Sequence, residues 1–420
     1  MSKRVFFLVL SFFLCEVSSA SAGERTLREL IDSALKNNPQ IHMAQARYEV
    51  AKAKIPQASS LADPRFDFKY DTMVPRMVAM ESDDPGATRV FGVSQEIPFP
   101  TKLLLKAQIA AKESQMTYAD YKEKENEIIS MVKSLFAELS FLYKSIEIIK
   151  ENKVLLEQLH QAVSSRFSLN RASQQDVLKV QVEIARMDNE LVLLEARRQV
   201  AQAKLNTLLS QDPSTELGEI KISEEPTSFP ELQELNKTAK EHRQELLSFR
   251  LAVQRAKKMV ALARQEYLPD FMIRYERMER AGHLKELAGM VGVTLPVWFW
   301  QKQNFNVKEM KSDLKAMEAS YKNEENQVLL EVKEDYAQLQ AYKKLLELYK
   351  TSYLPQAEQT LKASLTGYEA NEVDFLNVLD SQRMLLDFKL DYYKVLIDYE
   401  VTSADLELRI GKPLDGGSIK

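Results

Sequence analysis

The chain is expected to be mainly α-helical with a small β part, one domain-sized unit built twice. Three observations carry this expectation. Segments recur in order at a nearly constant shift: Pro64, Phe66 and Tyr70 return as Pro269, Phe271 and Tyr275 after 205 positions, and Phe167, Asn170, Val177, Leu178 and Gln181 return as Tyr368, Asn371, Val378, Leu379 and Gln382 after 201. Such a period is far too long for a solenoid and implies a duplicated unit whose halves are related by pseudo-symmetry. Neither glycine nor proline interrupts the chain from Thr101 to Asp212, where strong helix formers dominate. Finally, apolar residues alternate with a period of two just after Pro64 and again just after Pro269, which is the pattern of a strand.

The N-terminus runs from Lys3 and Arg4 through an apolar stretch to Ala20-Ser21-Ala22, the order of a secretory signal, so residues 1–22 are expected to be removed. That apolar stretch is too short to span a bilayer as a helix, and no other run of 18 apolar residues occurs, which excludes an α-helical membrane protein. The single cysteine, Cys15, lies inside the signal. The bulky Leu14 before it argues against lipid modification, and a mature chain without cysteine gains nothing from disulfides. A formal net charge of −4 gives no footprint for nucleic acid or an anionic lipid surface.

The first repeat is assigned to 23–211. Short helices are expected over Leu27 to Lys36 and Pro39 to Leu61, followed by a β-hairpin at about 64–98. A long helical hairpin follows at about 101–210. On its outgoing arm Ile128, Val132, Leu135, Leu139, Leu142, Ile146 and Ile149 alternate spacings of four and three, and Val177, Val180, Ile184, Met187, Leu191 and Leu194 do so on the return. This is the heptad seam of a coiled coil. The rhythm lapses at Ser168 to Ser173, which reads as the turn, with Ser173 as cap of the returning helix. The 65 residues from Lys102 to Arg166 give an arm roughly 100 Å long at about 1.5 Å per residue. Residues 212–230, with three prolines and a glycine, form the linker.

The second repeat is assigned to 231–411: a helical lead-in from Glu231 to Leu268, a β-hairpin at about 269–297 and a helical hairpin at about 301–410 that turns between Gly367 and Val373. Pro355 is expected to kink its outgoing arm. Residues 412–420 are a C-terminal tail.

In the strands Phe66, Phe68 and Tyr70 alternate with Arg65, Asp67, Lys69 and Asp71, and Phe271, Ile273 and Tyr275 with Met272, Arg274 and Glu276. Four strands with one apolar face and two bare edges would aggregate in water, whereas in lipid they make sense if they close into a barrel. Known barrels start at about eight strands, so one chain cannot close alone; two chains would give a narrow barrel plugged by its own side chains, whereas three would give twelve strands around an open lumen. Arg65, Asp67, Lys69, Arg274 and Glu276 would line that lumen. Trp298, Phe299 and Trp300 follow the last strand, where an aromatic girdle meets the membrane interface.

Several blocks resemble the outer-membrane efflux protein family of TolC-like channels. Ala34 to Ile41 is similar to its entry motif, and Gln95 to Lys102 resembles its strand-to-helix corner, particularly in the branch serving heavy-metal and related resistance-nodulation-division pumps. Leu354 to Glu358, Gly367-Tyr368 and Val378 to Gln382 form the most specific block. The resemblance implies a homotrimer in the outer membrane, a periplasmic α-helical tunnel, a periplasmic adaptor (membrane fusion protein) and an inner-membrane pump. It places Asp380 on the acidic ring of the periplasmic constriction, with Asn377 where an aspartate is frequent. It places Asp176 and Tyr368 on hairpin-end tethers, whereas Val373 stands where a basic tether partner occurs. The expected function is a passive exit duct for small molecules or metal ions; a type I protein-secretion duct and a non-pore periplasmic scaffold are the rivals.

No enzyme is expected. His42, His160, His242 and His283 have no pair at metal-ligand spacing, and no phosphate loop, dinucleotide fingerprint or nucleophile elbow occurs. No cofactor or resident metal is expected; Met73, Met77 and Met80 read as apolar loop contacts rather than ligands.

Overall fold

The computed structural model describes residues 26–71, 88–218, 220, 229–280 and 284–414. The signal segment with Cys15, the turn at Asp83 to Gly86, the three loop methionines, and Ala281 to His283 lie outside the described residues, as do residues 415–420.

The first repeat opens with α1 (Leu27–Asn37) and α2 (Pro39–Ser59). Thr26 and Glu29 close a capping box on α1, and the Asn38 side chain caps α2; both satisfy backbone N–H groups that a helix start leaves free. After strands β1 (Arg65–Asp71) and β2 (Thr88–Ile97), α3 (Pro100–Ser168) runs for 69 residues without a break. Proline is tolerated at its first position because no intrahelical donor is lost there. The turn is a backbone device: Asn170 takes φ 57° and Arg171 N donates to the Arg166 carbonyl at 2.8 Å, the left-handed residue and long bond that finish a helix. Ser173 then caps α4 (Gln174–Leu208) in a box with Asp176. The heptad seam is buried as expected: Ile128, Val132, Leu139 and Ile149 face Val180, Met187 and Leu194 in one core.

The linker is packed rather than loose where it is described. Leu217 and Ile220 are buried, and Gln202 Nε2 and Asn206 Nδ2 each donate to the Thr215 carbonyl at 2.7 Å. The second lead-in, expected as one stretch, is divided into α5 (Leu232–His242) and α6 (Gln244–Gln265) by an extended Arg243 (φ −60°, ψ 117°), as Asn38 divides α1 from α2. Strands β3 (Asp270–Arg280) and β4 (Leu284–Thr294) follow.

The outgoing arm of the second hairpin is interrupted where Pro355 was expected to act. It runs as α7 (Gln303–Leu348), a π turn over Tyr349–Tyr353 and α8 (Leu354–Glu369). Leu354 N donates to the Tyr349 carbonyl, five residues back. One extra residue in the turn accommodates the missing donor and the bulk of the proline ring. Asn371 (φ 60°) then repeats the turn of Asn170, and α9 (Phe375–Ile410) returns. The four strands form one antiparallel sheet in the order β1-β2-β3-β4, so each repeat contributes a hairpin and β2 joins β3 across the repeat boundary.

Candidate functional site

Three regions gather the candidate residues and the buried charges: the two faces of the sheet, the far ends of the helical hairpins, and the joint where each returning helix meets its lead-in.

The register sorts the strand residues cleanly. Phe66 lies opposite Val93, which lies opposite Tyr275; Phe68 lies opposite Phe91, with their rings 5.1 Å apart. This face is apolar and open to its surroundings, Phe66 being 76% and Val291 73% exposed. The opposite face takes Arg65, Asp67, Lys69, Arg274 and Glu276 together, because strand side chains alternate. The Arg274 guanidinium sits 2.5 Å from Glu276 and 3.7 Å from Asp67, while Lys69 pairs with Asp71 at 3.1 Å. Gly92 lies opposite both Asp67 and Glu276, and a side chain there would stand about 3.5 Å from Arg274. Within one chain β1 and β4 remain edges with unpaired backbone groups.

Trp298, Phe299 and Trp300 occupy the turn between β4 and α7, all exposed, with Trp300 edge-on to both neighbours at 5.4 and 5.3 Å. Leu295, which continues the alternation of Val291 and Val293, is exposed nearby in the chain, as are Val297 and Phe305.

At the hairpin ends Asp380 is 66% exposed and lies 3.6 Å from Arg383. Asn377, Asp380 and Asp387 are exposed on one stripe of α9, opposite the buried Val378, Leu379, Leu385 and Leu386. Asp387 therefore adds a second acid to the stripe on which Asp380 lies. Asp176 is engaged in the cap of α4, accepting from Ser173 N at 3.1 Å. The Tyr368 hydroxyl is buried without a hydrogen-bond partner. The bridge between the two hairpin ends is instead made by Arg166, which the sequence reading had not singled out. Its guanidinium donates to the Tyr368 carbonyl at 2.9 Å and to the Asn371 side chain, and lies 4.5 Å from the centre of the Tyr368 ring. A basic group is thus present although Val373 is not one; it comes from the other repeat. Burial raises the Tyr368 pKa, Arg166 opposes this, and Asp176 and Asp374 add to it.

The joints are equivalent in the two repeats. Asn38 Nδ2 donates to the Leu208 carbonyl at 2.9 Å, and Arg243 Nη1 donates to the Leu408 carbonyl; each pins the end of a returning helix to the turn between two lead-in helices. Arg243 is only 6% exposed and also pairs with Glu123 of α3 at 2.8 Å and Glu245 at 2.9 Å. Burial pushes the Glu123 carboxyl up to about 7, against the pull of Arg243 and helped by Glu245 and Glu127. Near it Arg409 pairs with Glu331 at 2.7 Å and approaches Asp335, whose pKa burial raises to about 6.

A strand set that leaves its edges open, carried on helical hairpins of about 100 Å, defines a barrel-anchored conduit with a long α-helical extension. The chain belongs to the outer membrane efflux protein family, whose profile matches residues 30–211 and 235–412. It is an outer-membrane efflux channel, as the sequence had suggested. Similar proteins include the cobalt-zinc-cadmium resistance protein CzcC of Cupriavidus metallidurans, 22% identical over 378 residues that cover 90% of this chain and 87% of that one. Among solved structures, CusC superposes with a TM-score of 0.81 at 14% identity, covering 93% of this chain and 92% of that one. The outer membrane protein VceC of Vibrio cholerae gives 0.78 at 18% identity over 93% and 97%. At these identities the structural likeness concerns the fold.

Proposed function

We propose that three copies of this chain form a passive exit duct, a twelve-stranded barrel in the outer membrane continued by a helical tunnel through the periplasm. A periplasmic adaptor and an inner-membrane pump deliver its cargo and supply the energy. The observation that carries this reading is the sheet itself: four strands with an exposed apolar face and two unpaired edges require neighbours before a bilayer can hold them. Arg65, Asp67, Lys69, Arg274 and Glu276 then line the lumen, and Trp298, Phe299 and Trp300 anchor the barrel at the interface. The cargo is small molecules or metal ions; the likeness to a cobalt-zinc-cadmium resistance protein favours the latter. The duct itself performs no chemistry.

Asp380, with Asn377 beside it, forms the charged constriction at the periplasmic end, and Arg166, Tyr368 and Asp176 hold the hairpin ends together. Mass measurement of the detergent-extracted protein should give a trimer, and a monomer would sink the reading. In planar bilayers Asp380→Ala should lower cation preference, and Arg166→Ala should raise the conductance of the resting channel. Selectivity unaltered in the first variant, or conductance unaltered in the second, would remove that residue from its role. Co-purification with an adaptor and pump tests the partners directly, and recovery of a secreted protein in their place would favour protein export.

A further inference from the structure

We propose that α4 of one copy packs against α8 and α9 of the next along an apolar seam centred on Val182 and Met384, the counterpart between copies of the ion-paired junction that joins the two repeats inside each chain. This placement rests on the proposed trimer and specifies which faces close it. In a ring of three duplicated chains the two repeats alternate, so the surface through which the first repeat meets the second recurs where the second meets the first repeat of the next copy. Residues on the internal junction therefore name, through their equivalents 201 positions away, the residues that meet between copies.

Inside a chain α4 and α9 both pack on α3. Arg383 of α9 donates to the buried Glu183 of α4, and Gln382 donates to Asn152 of α3. Moved to the other junction, Glu183 becomes Met384 and Arg383 becomes Val182 of the next copy. The ion pair turns into an apolar pair, and a single chain leaves both members in water, Val182 being 65% and Met384 45% exposed. Leu379 and Tyr393, which pack into the core beside α3, map in the same way onto Leu178 and Val192, both exposed on α4. The equivalence holds in detail on the partner side: Asn152 donates to the Met187 sulfur at 3.2 Å in the first hairpin, and at the matching positions of the second Tyr353 stacks on Phe388 at 5.2 Å. Tyr353 is exposed and faces the place that Gln181 of the next copy, the equivalent of Gln382, is to occupy.

The charges beside the seam agree with this closure. Asp387 and Glu190 bring two acids to the same internal groove; their equivalents are Arg186 of the next copy and Asp391, of opposite sign. Arg186 is exposed and stands 3.8 Å from Glu183 of its own chain, whose carboxylate already accepts from Arg383. Copies can thus come together without burying an unpaired charge, and removing Val182 and Met384 from water favours the contact. Around the tunnel wall polar junctions within chains alternate with apolar junctions between them.

The test is cross-linking of the full mature protein in its membrane with bismaleimidoethane, followed by a denaturing gel; a mature chain without cysteine gives a clean background. Val182→Cys with Met384→Cys should yield bands at the mass of two and three chains, absent from either single variant. Both positions are exposed in one chain, so neither change disturbs its folding. Glu183→Cys with Arg383→Cys should link within a chain and leave the band at the mass of one. Leu193→Cys with Met384→Cys moves the first thiol eleven positions along α4, about 16 Å, and should lose the higher bands. Higher bands as strong from the Leu193 pair overturn the register. Material that is trimeric by mass measurement but gives only the single-chain band from the Val182 pair overturns the seam and leaves the duct standing, whereas a monomer by mass measurement sinks both.

Discussion

The two joints that fasten the returning helices solve one geometrical problem with different chemistry. In the first repeat a neutral amide, Asn38, reaches the Leu208 carbonyl, and Ser210 (φ 57°) provides the left-handed residue that ends the helix and donates to the Asn37 carbonyl at 2.9 Å. In the second, buried Arg243 reaches the Leu408 carbonyl and Gly411 (φ 69°) ends the helix. Duplication preserved the backbone path, which any suitable donor and any residue tolerant of positive φ can satisfy. It did not preserve the electrostatics. One joint is a capping bond; the other is a buried ion-pair hub that also ties down Glu123 in the longest helix. The hairpin ends diverge likewise: Arg166 stands in the first repeat where the second has Gly367, and only the former can bridge. A pseudo-symmetric wall therefore carries its buried charges unevenly.

The largest effect should come from breaking the charged joint. Arg243→Leu leaves Glu123 buried without its partner and should cost about 3–5 kcal/mol, read as a fall in the thermal unfolding midpoint. Asn38→Ala in the neutral joint should cost only about 1 kcal/mol, and equal losses would mean that the two joints are energetically alike. Next comes Gly411→Ala. A left-handed alanine costs about 1–2 kcal/mol, and its Cβ would also meet the His242 carbonyl oxygen at 2.5 Å, so the helix end must move away from Arg243. Ser210→Gly, at the equivalent position of the first repeat, relieves the left-handed strain but removes the hydroxyl donor to the Asn37 carbonyl, so the two should nearly offset, and a loss larger than that of Gly411→Ala would contradict the steric explanation.

The charged joint should also show a pH slope that the neutral joint lacks. Glu123 titrates near 7 in the fold against an ordinary value of 4.5, so its contribution to stability is present in full below about 4.5 and is lost as pH rises through 7. Relative to Glu123→Gln, which carries no titrating proton, the parent protein should lose stability between about pH 5 and 7.5. The Asn38 joint has no ionisable group in its bonds, so the cost of Asn38→Ala should be the same at both ends of that range. Parallel unfolding profiles for parent and Glu123→Gln would show that Glu123 does not control the hub.

What could be read before the fold was known follows from range. The seam of Ile128 to Ile149, the strand alternation at Phe66 to Tyr70 and the cap at Ser173 all depend on residues within a few positions of one another, so spacing alone reveals them. The polar strand set was legible for the same reason: once the strand is recognised, alternation places Arg65, Asp67 and Lys69 on one face. The division of the second lead-in at Arg243 was missed because no proline or glycine marks it. Its extended conformation is held by contacts with α3 and α9 rather than by local preference.

The sequence by itself determined the duplication, the helical and strand periods, the hairpin turns and the need for neighbouring chains, because each of these is a statement about local hydrophobic pattern or about the number of strands available. Only the tertiary structure decided which groups pair. Arg166 meets Tyr368 across 202 positions, Arg243 meets Leu408 across 165, and Arg383 meets Glu183 across 200. Such encounters depend on how long helices pack side by side, and burial then sets what each charge is worth. Neither quantity is contained in the spacing of residues along the chain.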